Sequence, residues 1–366
     1  MDFSRVDRLM DRALEEGVFP GAVVLAFDQE GIQYHAAFGE ADRFSHLPMH
    51  CDIRFDLASL TKPLATGLAV AVLVAAGVVS FDDPIGRVLG VFRDRVEGTV
   101  TLRQLLSHCS GFAAYKPFYL HINPLQGCCD PAMLRRLLCR ETLRCVPGRE
   151  TVYSDIGFMM LHWFVETVSG MRMDTLLRKE VYGKIEGCSL FFNDVTEPFS
   201  PGAYAATEWC PWRCRLLVGE VHDENAWAFG GIGGHAGLFG RAIDIYLLLR
   251  RLMVELEGKI AEPLFPQHLI EEMVRKYPAT GGRALGFDLP SAEGSSSGKW
   301  FSQQSIGHLG FTGTSFWVDV PRRIGVILLT NRVHPSRHSI AIRRFRPILH
   351  DAVMQCFGVG KEVEPG

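Results

Sequence analysis

The distribution of hydrophobic and polar positions predicts a chain with β-rich ends and a helical middle. Apolar runs bounded by turn residues predict strands, and apolar positions spaced three and four apart predict helices. By these patterns the ends contain a helix at residues 1–16, strands at 21–27 and 32–38, strands at 307–320 and 324–331, and a closing helix at 339–356. The turn at 28–31 joins the first two strands as a hairpin. We therefore expect early and late strands to form one antiparallel sheet.

The middle of the chain is predicted to be a block of helices inserted between these strands. The predicted helices lie at residues 64–79, 101–108 (capped by Thr101), 131–139, 156–169, 173–181 and 242–257. The first is almost wholly apolar but contains Gly67 and Gly77. It is shorter than the about 20 residues that a membrane span needs, so we expect a buried core helix.

These elements predict an α/β (α+β) fold with two lobes in a single unit, residues 1–366. The sheet lobe, flanked by helices, is expected to combine residues 1–60 and 280–366, and the all-helical lobe to contain residues 61–280. A ligand cleft is expected where the two lobes meet.

Composition and charge narrow the classes of function. The chain has 366 residues, 47% hydrophobic and 22% charged, as in ordinary soluble globular proteins. Its net charge is -3 without a basic stripe, which argues against a nucleic-acid partner. The charged N-terminus lacks the apolar core of a secretory signal, so we expect a cytoplasmic protein. We expect no membrane span. The expected partner is a small-molecule ester, amide or peptide substrate.

The ten cysteines are expected to be mostly small buried side chains in a reducing compartment. Cys128-Cys129 and Cys210-x-x-x-Cys214 lack the paired spacing of a structural zinc site. His222 and His235 follow the second pair, so a metal site stays open as the less favoured alternative. We predict neither a metal nor a cofactor.

The segment Ser59-Leu60-Thr61-Lys62 carries the most specific chemistry in the sequence. If a helix begins near Leu60, the i, i+3 spacing places the Ser59 hydroxyl and the Lys62 amine on one face. Pro63 then lies in the first turn, where its missing N–H costs least. A serine hydroxyl becomes a good nucleophile when a base removes its proton, and a desolvated lysine can do so. A chance pair of solvated side chains is the alternative.

Two further segments are candidates to meet Ser59 in the cleft. Residues 147–155 form a turn that leads into a helix, so Tyr153 and Asp155 lie at the helix entrance. His308 belongs to a strand whose small residues, such as Gly310, allow a ligand to approach the backbone closely.

Taken in order, these segments resemble the class C β-lactamase superfamily of serine hydrolases. That superfamily also contains penicillin-binding proteins, D-alanyl-D-alanine carboxypeptidases and family VIII esterases. Its signatures Ser-x-x-Lys, Tyr-x-Asn and Lys-Thr-Gly correspond to Ser59-x-x-Lys62, Tyr153-Ser154-Asp155 and His308-Leu309-Gly310. Residues 105–111 and 233–239 are also similar, and the likeness spans about residues 21–332.

The resemblance implies the two-lobed fold and an acyl-enzyme mechanism. Ser59 would attack an acyl carbonyl, Lys62 and Tyr153 would share the proton transfers, and water would release the acid. The backbone N–H groups of Ser59 and Phe311 would stabilise the tetrahedral oxygen, at the family's oxyanion-hole positions.

Two residues depart from the family pattern. Asp155 replaces an amide and should raise the pKa of Lys62, which favours Tyr153 as the working base. The alternative is that Asp155 only caps the helix from Ile156. His308 replaces a lysine thought to hold a substrate carboxylate, and a histidine with an ordinary pKa of about 6.5 is mostly neutral at pH 7. This favours substrates without a carboxylate over β-lactams, unless His308 is only a structural strand-end residue.

We therefore predict a serine hydrolase that acts through an acyl-enzyme at Ser59 on carboxylic esters or D-amino-acid amides and peptides. The alternative is a catalytically weak penicillin-binding or regulatory protein that keeps the acylation fold.

Several other residues are weaker cleft candidates. Residues 222–225 are interpreted as a hydrogen-bonded loop near the cleft, His235 as structural, and Phe112, Tyr115 and Trp227 as either pocket walls or core.

Overall fold

The computed structural model describes residues 1–122, 131–199, 202–258, 260–277 and 282–360. In these ranges the α-helices are α1 (Ser4–Glu15), α2 (Leu68–Ala75), α3 (Leu102–Leu106), α4 (Pro131–Leu138), α5 (Asp155–Ser169), α6 (Met173–Glu180), α7 (Glu224–Ala228), α8 (Ala242–Leu256), α9 (Gln267–Val274) and α10 (Ile342–Cys356). The strands are β1 (Gly21–Asp28), β2 (Gly31–Asp42), β3 (Leu47–Pro48), β4 (Phe55–Asp56), β5 (Phe191–Phe192), β6 (Trp209–Cys210), β7 (Arg215–Leu216), β8 (Leu238–Gly240), β9 (Ile306–Leu309), β10 (Ser315–Asp319) and β11 (Ile324–Thr330).

A six-stranded antiparallel sheet joins the two ends of the chain, which confirms the predicted fold class. Its strand order is β3-β2-β1-β11-β10-β9, so the first hairpin lies directly beside the last three strands. β1 and β11 are buried almost throughout because elements cover both faces of the sheet. On one face Val24 and Leu328 pack into a core with α1 and α10. On the other, Val23 and Leu329 pack into the core of the helical block, which includes α8.

The helical block lies between β2 and β9 in the chain. It also contains two small sheets that the hydrophobic pattern did not predict, β4-β8-β5 and β6-β7. Helix α9 was missed as well, because its buried residues Leu269, Ile270 and Met273 span only about two turns. Thr101 caps α3 as predicted, with its side chain accepting the Gln104 N–H at 3.2 Å, although the helix ends at Leu106.

The predicted strand at 307–320 is two strands, β9 and β10, joined by a tight turn. A side chain at Gly310 would overlap the Thr314 side chain and the Leu57 carbonyl oxygen, and Gly313 has a φ of +111°. The hydroxyls of Thr312 and Thr314 donate to the carbonyl oxygens of Asp56 and Leu57 at 2.8 and 3.0 Å. The turn is thereby bound to the residues that immediately precede Ser59.

Residues 58–75 form one continuous helical segment in the core. A 3-10 helix (Ala58–Leu60) and a π-helix (Lys62–Gly67) lead directly into α2. Among the described residues this is the one segment apolar and long enough to pass for a membrane span, and 78% of it is buried inside the protein. It ends at Ala75 and not at residue 79, because Gly77 turns the chain with a φ of +68°.

Candidate active site

The structure brings the Ser59 hydroxyl and the Lys62 amine together, as their spacing predicts. Ser59 lies in the 3-10 helix and Lys62 begins the π-helix, a helix form that is common at functional sites. Lys62 Nζ donates a hydrogen bond to Ser59 Oγ at 3.0 Å. The Lys62 side chain is 0% exposed, whereas Ser59 lines an open cleft.

Two further groups hold the Lys62 ammonium. Its Nζ lies 2.7 Å from Asp155 Oδ1 and donates to the His235 carbonyl oxygen at 2.9 Å. Burial lowers the pKa of Lys62, but the Asp155 carboxylate and Tyr153 outweigh burial, so the pKa is raised. Lys62 is therefore a charged group at neutral pH, which agrees with the expected effect of Asp155.

Tyr153 lies against this ammonium, with Lys62 Nζ 4.8 Å from the centre of the phenol ring. Its hydroxyl is close enough to Lys62 and Ser59 for both groups to lower its pKa. Removal from water raises the pKa of Tyr153, Lys62 lowers it, and the charge on Asp155 raises it again, so that the net shift is upward. The three candidate groups meet at one point, but the phenolate is a minor form at pH 7.

Asp155 is not the cap of its helix. Ser154 holds that position, and its hydroxyl accepts the Gly157 N–H at 3.0 Å. Asp155 is the first residue of α5 and directs its carboxylate to Lys62. The alternative interpretation of Asp155 as a helix cap is therefore wrong.

Phe311 and Gly310 lie in the turn between β9 and β10, and both line the cleft beside Ser59. Among the described residues no hydrogen bond is formed by the Phe311 N–H. Arg332 Nε donates to the Phe311 carbonyl oxygen at 2.9 Å, and His222 stacks on the Phe311 ring with 5.5 Å between ring centres. These contacts, together with the threonine hydrogen bonds of the turn, hold Phe311 in place in the cleft that Ser59 also lines.

His308 is buried next to Tyr153, with 6.0 Å between ring centres. Burial lowers the pKa of His308 to about 4, so the imidazole is neutral at pH 7. Its Nδ1 lies 2.9 Å from the Leu309 carbonyl oxygen. A neutral ring at this position agrees with the weak binding of a substrate carboxylate that the sequence predicts.

Sequence reasoning missed a group of arginines at one end of the cleft. The cleft encloses about 520 Å³, and Arg332, Arg343 and Arg346 line it together with Ser59. None of the three forms an ion pair with a carboxylate in the described part of the chain. Burial and the charges of the other two arginines lower the pKa of Arg346 to about 9. Because α10 and the segment after β11 bring them together only in the fold, no local motif could have identified them.

Ser59 also lines a second pocket of about 410 Å³, together with Tyr115, His222, Asp223, Glu224, His235 and other residues. Phe112 and Trp227 are buried core side chains. His235 Nε2 lies 2.9 Å from Asp223 Oδ1, and Glu224 pairs with Arg337 at 2.6 Å. The segment 222–225 is thus a hydrogen-bonded wall of the site.

The histidines of this wall do not converge on a metal position. His222 pairs with Glu208 at 3.0 Å, away from the His235–Asp223 pair. The described ranges contain no group of three His, Cys, Asp or Glu side chains that could hold a metal ion. Cys128 and Cys129 lie outside the described residues.

Comparison with known proteins agrees with the geometry. The chain matches the family model named Beta-lactamase over residues 6–347. It is 31% identical to the N-acetylmuramyl-L-alanine amidase of Bacillus subtilis (strain 168), over 90% of this chain and 81% of that protein.

Two solved structures share the fold. One is EstCE1, described as a hydrolase with promiscuous acyltransferase activity, with a TM-score of 0.75, 21% identity and coverage of 96% of this chain and 97% of that chain. The other is the D-alanine carboxypeptidase AmpC of Burkholderia cenocepacia, with a TM-score of 0.71, 19% identity and coverage of 96% and 98%. With the family match over nearly its whole length, the chain belongs to the Beta-lactamase family of serine hydrolases.

Proposed function

We propose that this chain hydrolyses carboxylic esters and amides, D-amino-acid peptides included, through an acyl-enzyme at Ser59. The observation that carries this proposal is the contact of the buried Lys62 Nζ with Ser59 Oγ at 3.0 Å, beside an open cleft. Burying a lysine is unfavourable for folding unless its charge is paired. Asp155 supplies that pairing, so the additional contact of Lys62 with a cleft-lining hydroxyl is not needed for burial and favours a chemical role.

The proposed reaction has two steps. In the first, Ser59 Oγ bonds to the acyl carbon and its proton passes to the Tyr153 phenolate oxygen. The leaving alcohol or amine takes this proton as its bond to the acyl carbon breaks. In the second, water attacks the acyl-enzyme by the same proton route, regenerates Ser59 and releases the acid. Lys62 stays protonated beside Asp155 and stabilises the phenolate, and the N–H groups of Ser59 and Phe311 bind the oxyanion.

A turnover assay on the wild-type chain tests this proposal. With excess p-nitrophenyl acetate or butyrate we expect many equivalents of p-nitrophenol per chain, at a rate that rises from about pH 7 to about pH 9 because the pKa of Tyr153 is raised. A fluorophosphonate probe should label the peptide that contains Ser59 and stop turnover. Release of one equivalent and no more would instead identify the weak penicillin-binding or regulatory protein. Absence of both release and labelling would contradict any acylation at Ser59.

A narrower candidate is the hydrolysis of an amide whose leaving group carries a carboxylate. The arginines Arg332, Arg343 and Arg346 favour it, because they line the cleft and none of them forms a direct ion pair with a carboxylate in the described part of the chain. The name of the amidase from Bacillus subtilis supports amide cleavage in general. On this view the charge missing at His308 is supplied from another part of the fold.

A matched pair of substrates separates the two candidates. We expect N-acetyl-D-alanyl-D-alanine to be hydrolysed with a kcat/KM about tenfold higher than its C-terminal amide, as for a hydrogen bond to a charged group. Arg343→Ala should remove this preference, whereas Arg344→Ala on the same helix, outside the lining of the cleft, should retain it. Equal rates for the acid and the amide in the wild-type chain would favour substrates without a carboxylate.

A further inference from the structure

His108 contacts three consecutive residues, 152–154, in three ways. Its backbone carbonyl oxygen accepts the Val152 N–H at 2.9 Å, and its Nδ1 accepts the Ser154 N–H at 2.9 Å. Its ring stacks on that of Tyr153, with 4.4 Å between ring centres and 29° between ring planes. The bonded Ser154 N–H lies between the two residues that contact Lys62. One side chain thus contacts both the phenol ring and the backbone that carries it.

The conformation of His108 is unusual for a residue that serves only to fill space. It is 2% exposed and has a φ of +59°, a region that residues other than glycine seldom occupy. Burial, Arg283 and Lys62 hold its pKa well below the ordinary value, so the ring is neutral. Since Nδ1 accepts a hydrogen bond, the proton of the neutral ring is on Nε2. Strain at a single backbone position is typical of functional sites.

Hydrogen bonding at Nε2, the second ring nitrogen, does not explain why a histidine occupies position 108. Within the described residues Nε2 is buried and has no hydrogen-bond partner. Leaving a polar atom unpaired costs stability, so a phenylalanine or leucine would be the better choice for packing alone. The retained imidazole is therefore explained by what Nδ1 and the ring face do, namely hold the backbone and the ring next to Tyr153.

We propose that His108 is a positioning residue for Tyr153, which fixes the phenol between Ser59 and Lys62 and covers one face of its ring, while the remainder of the tyrosine faces the cleft and is 36% exposed. This inference rests on the proposed function, because it assigns His108 a role in proton transfer at Ser59. If the phenol could move about 1 Å away from Ser59, the rate would fall by about 100-fold with little effect on substrate binding. A hydrated phenol would also titrate closer to its ordinary pKa.

The titration of Tyr153 depends on all the groups that face it. These groups are Ser59, Lys62, His108, Asp155, Arg283 and His308. Of these, His108 and His308 are neutral at pH 7, so a change at His108 alters hydration and orientation and leaves the fixed charges unchanged.

The informative variant is His108→Asn. Asparagine tolerates a positive φ and retains an acceptor near the position of Nδ1, but it lacks the ring. We expect kcat to fall by about 10- to 100-fold with KM changed less than about twofold. The acid limb of the pH profile of kcat/KM should move down by about 0.5 to 1 pH unit, because the phenol gains water. A role in packing alone would lower the melting temperature without moving this limb.

Two controls accompany the variant. His46→Asn changes an exposed histidine that also has a positive φ, +53°, and should behave as wild type. His108→Phe retains a ring but loses the acceptor, so we expect a kcat below that of wild type even where fluorophosphonate labelling shows a folded site. A His108→Asn chain with wild-type kcat, or with a lowered kcat and an unmoved acid limb, would overturn the inference. Turnover that survives Ser59→Ala would instead overturn the proposed function.

Discussion

Replacing Ser59 with alanine is expected to lower kcat/KM for p-nitrophenyl esters by at least about 10,000-fold and to abolish fluorophosphonate labelling. The reason is that no acyl-enzyme can form without the hydroxyl, and the remaining groups supply only binding and oxyanion stabilisation. Ser59 accepts one hydrogen bond from Lys62 and is not part of the main core, so the variant should fold as wild type. Steady-state kinetics and thermal unfolding of the same preparation are the measurements.

A matched control for this variant is Ser45→Ala. Ser45 is exposed and its hydroxyl donates only to Asp42, at 2.7 Å. It should retain wild-type turnover and labelling. If Ser59→Ala kept a tenth or more of the wild-type rate, Ser59 would not be the nucleophile, and the activity would belong to another residue or to a contaminating enzyme.

Replacing Lys62 with methionine is expected to lower both activity and stability. The rate should fall by about 1,000-fold, because Tyr153 loses the cation that lowers its pKa. The free energy of unfolding should fall by about 3 to 5 kcal/mol, because Asp155 keeps a largely buried charge without a partner. Ester kinetics and urea unfolding at pH 7 measure the two effects separately.

The double variant Lys62→Met/Asp155→Asn distinguishes the two roles of Lys62. Removing the carboxylate as well should restore most of the lost unfolding free energy, since no unpaired charge remains, but should leave the rate as low as in Lys62→Met. Lys184→Met breaks an exposed lysine–glutamate pair and should cost less than about 1 kcal/mol. If the double variant regained activity, Lys62 would matter only as the partner of Asp155.

Most local features of the fold could be predicted from the sequence. The hairpin of β1 and β2, the helices α5, α6 and α8 and the Thr101 cap lie close to their predicted positions. Each depends on a periodicity or a turn within a few residues. The predicted strand at 307–320 was wrong, because the turn that divides it is made by contacts of Gly310 and Gly313 with distant residues.

The same distinction between local features and long-range contacts applies to the candidate site. Ser59 and Lys62 lie one helical turn apart, so their proximity followed from the sequence alone. By contrast, the pairing of Asp155 with Lys62, rather than with its own helix end, depends on how α5 packs against the core segment. His108 and the arginines of the cleft act through neighbours that no spacing relates.

The amino-acid sequence by itself determined the proximity of Ser59 and Lys62 and the antiparallel sheet, because these depend on local spacing and on alternation of apolar residues. Only the tertiary structure decided which charges face Lys62, which ring holds Tyr153 and where the cleft is cationic. Electrostatic energies and burial depend on distances through space, and the folding of the whole chain sets those distances.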